Sequence, residues 1–212
     1  MSEKKVTRKM YLDWIKEIQA IAQNGLAYQK NPFDRERFQR IRDIACEMLS
    51  HDTGIPLERV KDIFASERGY KTPKLDTRTA VFKDGKLLLV KERFESWSLP
   101  GGWVDEGQTV ASNAIKEVME EAGMEVELEG VIAILDRNKG VDQTYVQDIT
   151  RVFMLGKYKS GKFKENDETY DAQFFTLEEI KGLKLSKYKL NIKQIEMCFA
   201  AKDDKNWKVM YE

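Results

Sequence analysis

Residues 99–124 read LPGGWVDEGQTVASNAIKEVMEEAGM, and the rest of the chain falls into place around them. The stretch opens on a glycine-rich turn, Leu99-Pro100-Gly101-Gly102, and leads into a helix. Val110, Ala114, Val118 and Ala122 recur at helical spacing, Ile115 helps the apolar face, and Gly123 is placed to close it. Glu117, Glu120 and Glu121 stand at i, i+3 and i+4, so three carboxylates project from one side. Like charges so spaced cost a helix roughly a few tenths of a kcal/mol per pair, and a merely solvated face would alternate signs. Clustered carboxylates suit a hard divalent cation such as Mg²⁺ or Mn²⁺, which takes oxygen ligands; alone, a glutamate triplet is also what acidic surface looks like. Gly101 and Gly102 let backbone approach a ligand closely, as phosphate cradles do. Residues 104–130 hold eight acids and one base, Lys116, a net charge of −7. An anionic phosphate substrate binds there only if bound cations reverse that field.

Upstream, Thr77 to Lys83 reads as a strand, Lys83-Asp84-Gly85-Lys86 as a hairpin turn, and Leu87 to Lys91 as the returning strand. Downstream come strands at Val126 to Leu135, with a break at Gly130, and at Thr150 to Tyr158. A lysine-rich hairpin turn is expected at Ser160-Gly161, a strand ending at Phe174-Phe175, and helices from Leu177 and over Leu190 to Ala201. Strands and helices interleave without a strict βαβ repeat, which favours a mixed sheet between helices.

Residues 1–70 read as helices. Tyr11, Ile15, Ile18 and Ala22 make one stripe, widened by Trp14 and Ile21, with Gly25 placed to end it. After the break at Asn31-Pro32, Asp34 can cap a second helix carrying Phe38, Ile41, Ala45 and Met48, with Ile44 and Leu49 beside them. A third, short helix spans Pro56 to Phe64. The outer faces carry Arg35, Arg37, Arg40 and Arg42, where solvation is the ordinary reading and anion binding the sharper one. This subdomain has to pack on the rest of the chain or on a second copy. The expected division is a helical subdomain at 1–70 and a catalytic domain at 71–212.

The run from Gly102 to Met124 resembles the Nudix box: glycine, five residues, Glu, seven residues, Arg-Glu, an aliphatic, any residue, Glu-Glu, any residue, Gly, aliphatic. Seven of its nine specified positions match, at Gly102, Glu117, Val118, Glu120, Glu121, Gly123 and Met124. Gln108 stands where the family has Glu, and Lys116 where it has Arg. In the family those two side chains brace loop against helix; a Gln–Lys pair can still hydrogen-bond, without the charged fork. The helical N-terminal region, the run Ser98 to Trp103, Asp136-Arg137, Glu168-Thr169 and Leu185-Ser186 resemble a bacterial subgroup associated with ADP-ribose or CDP-choline pyrophosphatase activity, often dimeric.

The resemblance implies an α/β/α sandwich with a mixed sheet, behind a small helical subdomain. It implies a Mg²⁺- or Mn²⁺-dependent pyrophosphohydrolase of a nucleoside diphosphate linked to another moiety, with Glu117, Glu120 and Glu121 holding the metal. Relatives often use a further loop carboxylate as base or ligand; by position Glu168 is the candidate, beside Glu120 in the catalytic set. Gly101, Gly102, Arg78 and Arg137 are the substrate-binding candidates, both arginines being able to fork onto phosphate. Trp97, Trp103 and Tyr145 are candidates for stacking on a base or ribose, packing being the commoner role.

Composition bounds the alternatives. The chain has 212 residues, 36 basic against 36 acidic, which gives no support for bulk polyanion or membrane-surface binding. No apolar run approaches the roughly 20 residues that span a bilayer, and the first residues hold no secretory signal. Two cysteines, Cys46 and Cys198, sit in apolar helical patterns and read as buried free thiols in a cytoplasmic protein. His51 is the single histidine. A small-molecule nucleotide is the expected substrate and a homodimer the expected assembly. A non-catalytic nucleotide sensor is the alternative that Gln108 and Lys116 favour. Action on RNA 5′ ends is disfavoured by the lack of a basic stripe.

Overall fold

The structure is a computed structural model that describes residues 6–92, 95–138 and 147–212. They form two compact units: one runs to Pro73 and takes in Gln147 and Asp148, and the other holds the remainder from Lys74 onward.

The first unit is three helices, α1 (Arg8–Tyr28), α2 (Pro32–Thr53) and α3 (Leu57–Phe64). Ile15, Ala45, Cys46, Leu49, Val60 and Phe64 make its core. The cap of α2 is Asn31 rather than Asp34: the Asn31 side chain accepts from the Phe33 N–H, and Pro32 occupies the first turn, where its missing N–H is not needed. Asp34 falls instead inside that turn, where the helix dipole favours an acid. Gly25 does not end α1, which runs on to Tyr28. The ring of Phe38 packs so close that a Cβ on Gly25 would lie 2.5 Å from it, so this glycine serves helix contact and not termination. Trp14 and Ile21, expected to be buried, are 44% and 55% exposed. The partners of α1 cover only its Ile15–Ile18–Ala22 face, and a three-helix unit is too small to cover a second.

In the second unit the strands are β1 (Lys74–Lys83), β2 (Lys86–Glu92), β3 (Trp97–Ser98), β4 (Met124–Asp136), β5 (Ile149–Gly161), β6 (Thr169–Phe175) and β7 (Met210–Tyr211). Their order is β3-β2-β1-β5-β4-β7, with β6 also on β2. β1 pairs with β5 in parallel and β4 with β7 likewise, while β1 with β2, β4 with β5 and β2 with β6 are antiparallel. The sheet is therefore mixed, as the alternation of elements implied. Asp84 and Gly85 take φ of 49° and 78°, which lets a two-residue turn join β1 to β2. The register of β4 slips between Leu128 and Gly130, at the expected break.

Helix α4 (Val110–Ala122) covers one face of the sheet, where Val118 and Ala122 meet Val81, Leu88 and Val90. Helices α5 (Leu177–Lys181) and α6 (Ile192–Asp203) cover the other, where Ile180, Ile195, Cys198 and Ala201 meet Ala80, Leu87, Leu89 and Phe153. The result is the α/β/α sandwich that the resemblance implied. Both cysteines are free and buried, and burial pushes each thiol up. Ser160-Gly161 is not a hairpin turn. It ends β5 opposite Met124, and the chain then crosses to pair β6 with β2. Helix α6 begins at Ile192, two residues late, because Asn191 caps it.

Candidate active site

Two elements build the site, and β1 positions both. The segment after Leu99 lies along the β1 edge opposite β5: Thr79 N–H donates to Pro100 O (2.9 Å), Thr77 N–H to Gly102 O (2.9 Å), and Val104 N–H to Leu75 O (3.0 Å). Gly101 has φ +145°, and a Cβ there would lie 2.0 Å from Thr77 O, so only glycine fits this approach to β1. From below, the guanidinium of Arg78 donates to the carbonyls of Leu99 and Gly101. Arg78 is 4% exposed, so the structure sets it under the turn as a brace and not on an open surface.

Thr109 and Ser112 cap α4 reciprocally, and Gly123 ends it at φ 65°, which fixes the phase of the glutamates. Asn113, fully buried, donates from Nδ2 to Thr77 Oγ1 (2.9 Å) and ties α4 to the same strand as the turn. Glu121 reaches under that turn, where its Oε2 accepts the Gly101 N–H at 2.9 Å. Glu117 packs beside it: a Cβ on Gly102 would lie 2.8 Å from Glu117 Oε2. Both are buried, at 6% and 8% exposure. Burial pushes the Glu121 carboxyl up to about 7, against the pull of Arg78 and the Gly101 N–H. Burial likewise raises Glu117, against Lys116. Among the described residues no side chain forms an ion pair with Glu121.

Glu120 is exposed and turned outward. Lys116 Nζ lies 3.2 Å from Glu120 Oε2, 3.2 Å from Asp105 Oδ2 and 3.6 Å from Glu117 Oε1. The expected Gln108–Lys116 brace is not made. Gln108 accepts from Ser112 Oγ (2.7 Å), and Asp105 takes over as the loop partner of Lys116, since only a carboxylate answers its charge. With Lys116 drawing Glu120 aside, no three acidic, histidine or cysteine groups among the described residues converge on one point. The donor set still fits a divalent cation: three hard carboxylates within one turn of helix, two of them desolvated and lacking a full countercharge.

Glu168 is brought to this end of α4 by residues that sequence spacing did not single out. Asn166 Nδ2 donates to Glu120 O (3.0 Å), and Thr169 Oγ1 to Glu121 O (2.6 Å), so the loop caps the last carbonyls of α4. Asn166 Oδ1 in turn accepts the Glu168 N–H at 3.0 Å. The Glu168 charge is felt at Glu117, whose carboxyl it helps raise. Arg137 donates from Nε and Nη2 to Tyr188 O at 3.0 and 2.9 Å, next to Lys189, whose carbonyl accepts from Arg151. Trp97 is buried against Phe175 in the core, Trp103 is part-exposed beside the turn, and Tyr145 lies outside the described residues. One buried pair escaped the sequence reading. Arg151 forks onto Asp76 at 2.6 to 3.2 Å and also donates to Lys189 O.

Residues 73–196 match the model of the NUDIX domain, and residues 9–64 match that of a UDP-X-like N-terminal oligomerisation domain. The chain belongs to the Nudix hydrolase family. It is a Nudix pyrophosphohydrolase preceded by the helical region of one subgroup. It is 36% identical over 166 residues to a Bacillus subtilis protein named putative ADP-ribose pyrophosphatase YjhB, covering 78% of this chain and 80% of that one. A Streptococcus suis crystal structure titled as an ADP-ribose pyrophosphatase is 41% identical (TM-score 0.61), over 66% of this chain and all of that one. A crystal structure titled UDP-X diphosphatase is 30% identical with TM-score 0.61, over 97% of this chain and all of that one. No helix among the described residues is long and apolar enough to cross a membrane.

Proposed function

We propose that this Nudix hydrolase cleaves the pyrophosphate linkage of a nucleoside diphosphate joined to another moiety, with ADP-ribose first and CDP-choline or a UDP-linked compound next. Glu117, Glu120 and Glu121 would hold Mg²⁺ or Mn²⁺. The observation that carries this reading is Glu121, a buried carboxylate under a glycine turn with one backbone N–H as its partner. A divalent cation held there would neutralise phosphate oxygens and lower the pKa of attacking water. The chain supplies the rest. Arg78 holds the turn in shape, Gly101 and Gly102 would let the substrate's phosphates come close to backbone, and Glu120, paired with Lys116 here, would have to leave that lysine to serve as a ligand. Glu168, exposed and tied to α4 through Asn166, is the proposed general base. The similarity to proteins named for ADP-ribose supports that substrate, and the UDP-X relative keeps uridine compounds on the panel.

A homodimer through the helical unit completes the proposal. Met10, Trp14, Ile21 and Tyr28 line one exposed stripe of α1 at spacings of four, seven and seven, as a helix–helix seam does. The match to an oligomerisation domain supports it.

The test is a panel of ADP-ribose, CDP-choline and UDP-sugars with each metal, read as nucleoside monophosphate released. Wild type is expected to turn over at least one member and Glu120→Gln to lose about 100-fold or more, some 2.7 kcal/mol of barrier. A silent panel with either metal would sink the reading, as would full activity in Glu120→Gln.

A further inference from the structure

The arginine-rich face of α2 holds a feature that hydrolysis at α4 does not use. Within the helical unit a cavity of about 570 Å³ opens between α1, α2 and the loop after α3. Arg35, Gln39 and Arg42 line it from α2, at i, i+4 and i+7, and Arg68 lines it from the loop. Leu26 and Ala27 form an apolar wall. Glu67 is the acid in the lining, and Lys71 Nζ lies 3.0 Å from its carboxylate, so the field inside is positive.

The walls are fixed and not merely adjacent. Gln39 donates to Asp43 Oδ1 (2.9 Å), which turns its Oε1 to accept from Arg42 Nη2 (2.9 Å). Arg42 Nε is buried and has no hydrogen-bond partner, a cost a folded protein rarely leaves unmet. On the far side Gln19 and Gln23, both buried, donate to Phe64 O (2.9 Å) and Gly69 O (3.1 Å) and so hold the loop that carries Arg68.

We infer that this cavity is a second anion site, which takes a phosphorylated small molecule of mononucleotide size, separate from the hydrolytic centre. Three guanidiniums suit a phosphate, which accepts from arginine forks, and the Leu26–Ala27 wall suits an apolar ring. The volume falls in the range of small-molecule sites, roughly 300 to 1,000 Å³.

The experiment is calorimetric titration of the full chain with AMP in EDTA, which removes the metal that phosphate needs at α4, with adenosine as the uncharged control. AMP is expected to bind and adenosine not to, with affinity falling as salt rises. Arg35→Gln/Arg68→Gln alters two exposed side chains and is expected to weaken AMP about tenfold or more, 1.4 kcal/mol. Arg42→Gln should do the same with an unchanged far-ultraviolet spectrum, and Glu120→Gln should bind AMP as wild type does. No AMP binding to wild type, equal binding by Arg35→Gln/Arg68→Gln, or loss in Glu120→Gln would each overturn the inference. So would a changed oligomeric state in the arginine variant with no AMP bound by wild type, because the cavity would then be an interface between copies.

Discussion

Asp76 and Glu121 are both buried carboxylates of the sheet unit, and the protein answers them differently. Asp76 on β1 receives a guanidinium fork from Arg151 on β5, three contacts between 2.6 and 3.2 Å, with both side chains sealed from water. Glu121 receives one backbone N–H, from a turn that a glycine alone can make. A buried acid supplied with its own cation is part of the scaffold. One left short of a cation, beside two more acids of the same helix, is where the proposed Mg²⁺ or Mn²⁺ would sit. Arg78 links the two regions: it braces the turn over Glu121 and lies 3.6 Å from Asp76.

Breaking the scaffold pair should have the largest effect. Asp76→Asn leaves the Arg151 charge buried without its partner, and about 3–5 kcal/mol of stability is expected to go. Urea unfolding measures it; a loss below about 1 kcal/mol would show that Asp76 and Arg151 are no more than neighbours.

Glu121 should act in the opposite sense when metal is absent. Its carboxyl is raised from 4.5 to about 7, so in that interval the folded chain keeps a proton that the unfolded chain has released. Stability of the metal-free protein therefore falls as pH rises from 4.5 to 7. The fall is at most about 3 kcal/mol, since each tenfold difference in proton affinity between folded and unfolded chain is worth about 1.4 kcal/mol. Glu121→Gln keeps an acceptor for the Gly101 N–H and should flatten that part of the profile. An identical slope in the variant would mean that burial of Glu121 costs the fold nothing.

Lys116 sets the lower end of the scale. It touches three carboxylates but is one-third exposed, and surface pairs contribute about 0–1 kcal/mol. Lys116→Met in metal-free protein should shift the urea midpoint by no more than that; a change near the Asp76→Asn value would make Lys116 a structural cation in its own right.

Much of this is legible in the sequence, and the pattern of what is not is instructive. Helix α4, its glycine stop and the turn before it are written in residues close in sequence, where spacing alone dictates the face. The Asp76–Arg151 pair joins residues far apart in the chain, and its one local sign is a charge within Ile149-Thr150-Arg151-Val152-Phe153, an otherwise apolar strand. Gly25 reads as a stop because helix ends favour glycine, but the ring of Phe38 on another helix decides its use. Trp14 and Ile21 read as core because apolar periodicity does not say how many faces will find cover. The crossing of β6 to β2 depends on the whole sheet, and no turn residue announces it. For the site, the acidic helix is readable, whereas the roles of Arg78, Asn166 and Thr169 arise only once β1 and the loop after β5 are folded against α4.

The proposed cation site rests on the desolvated glutamates of α4. Titrating metal-free protein with Mn²⁺, and following the free ion by electron paramagnetic resonance, tests it without any substrate. Wild type should bind Mn²⁺, and Glu121→Gln should bind at least about tenfold more weakly, a difference of 1.4 kcal/mol. Equal Mn²⁺ affinity in the two proteins would rule out Glu121 as a metal ligand.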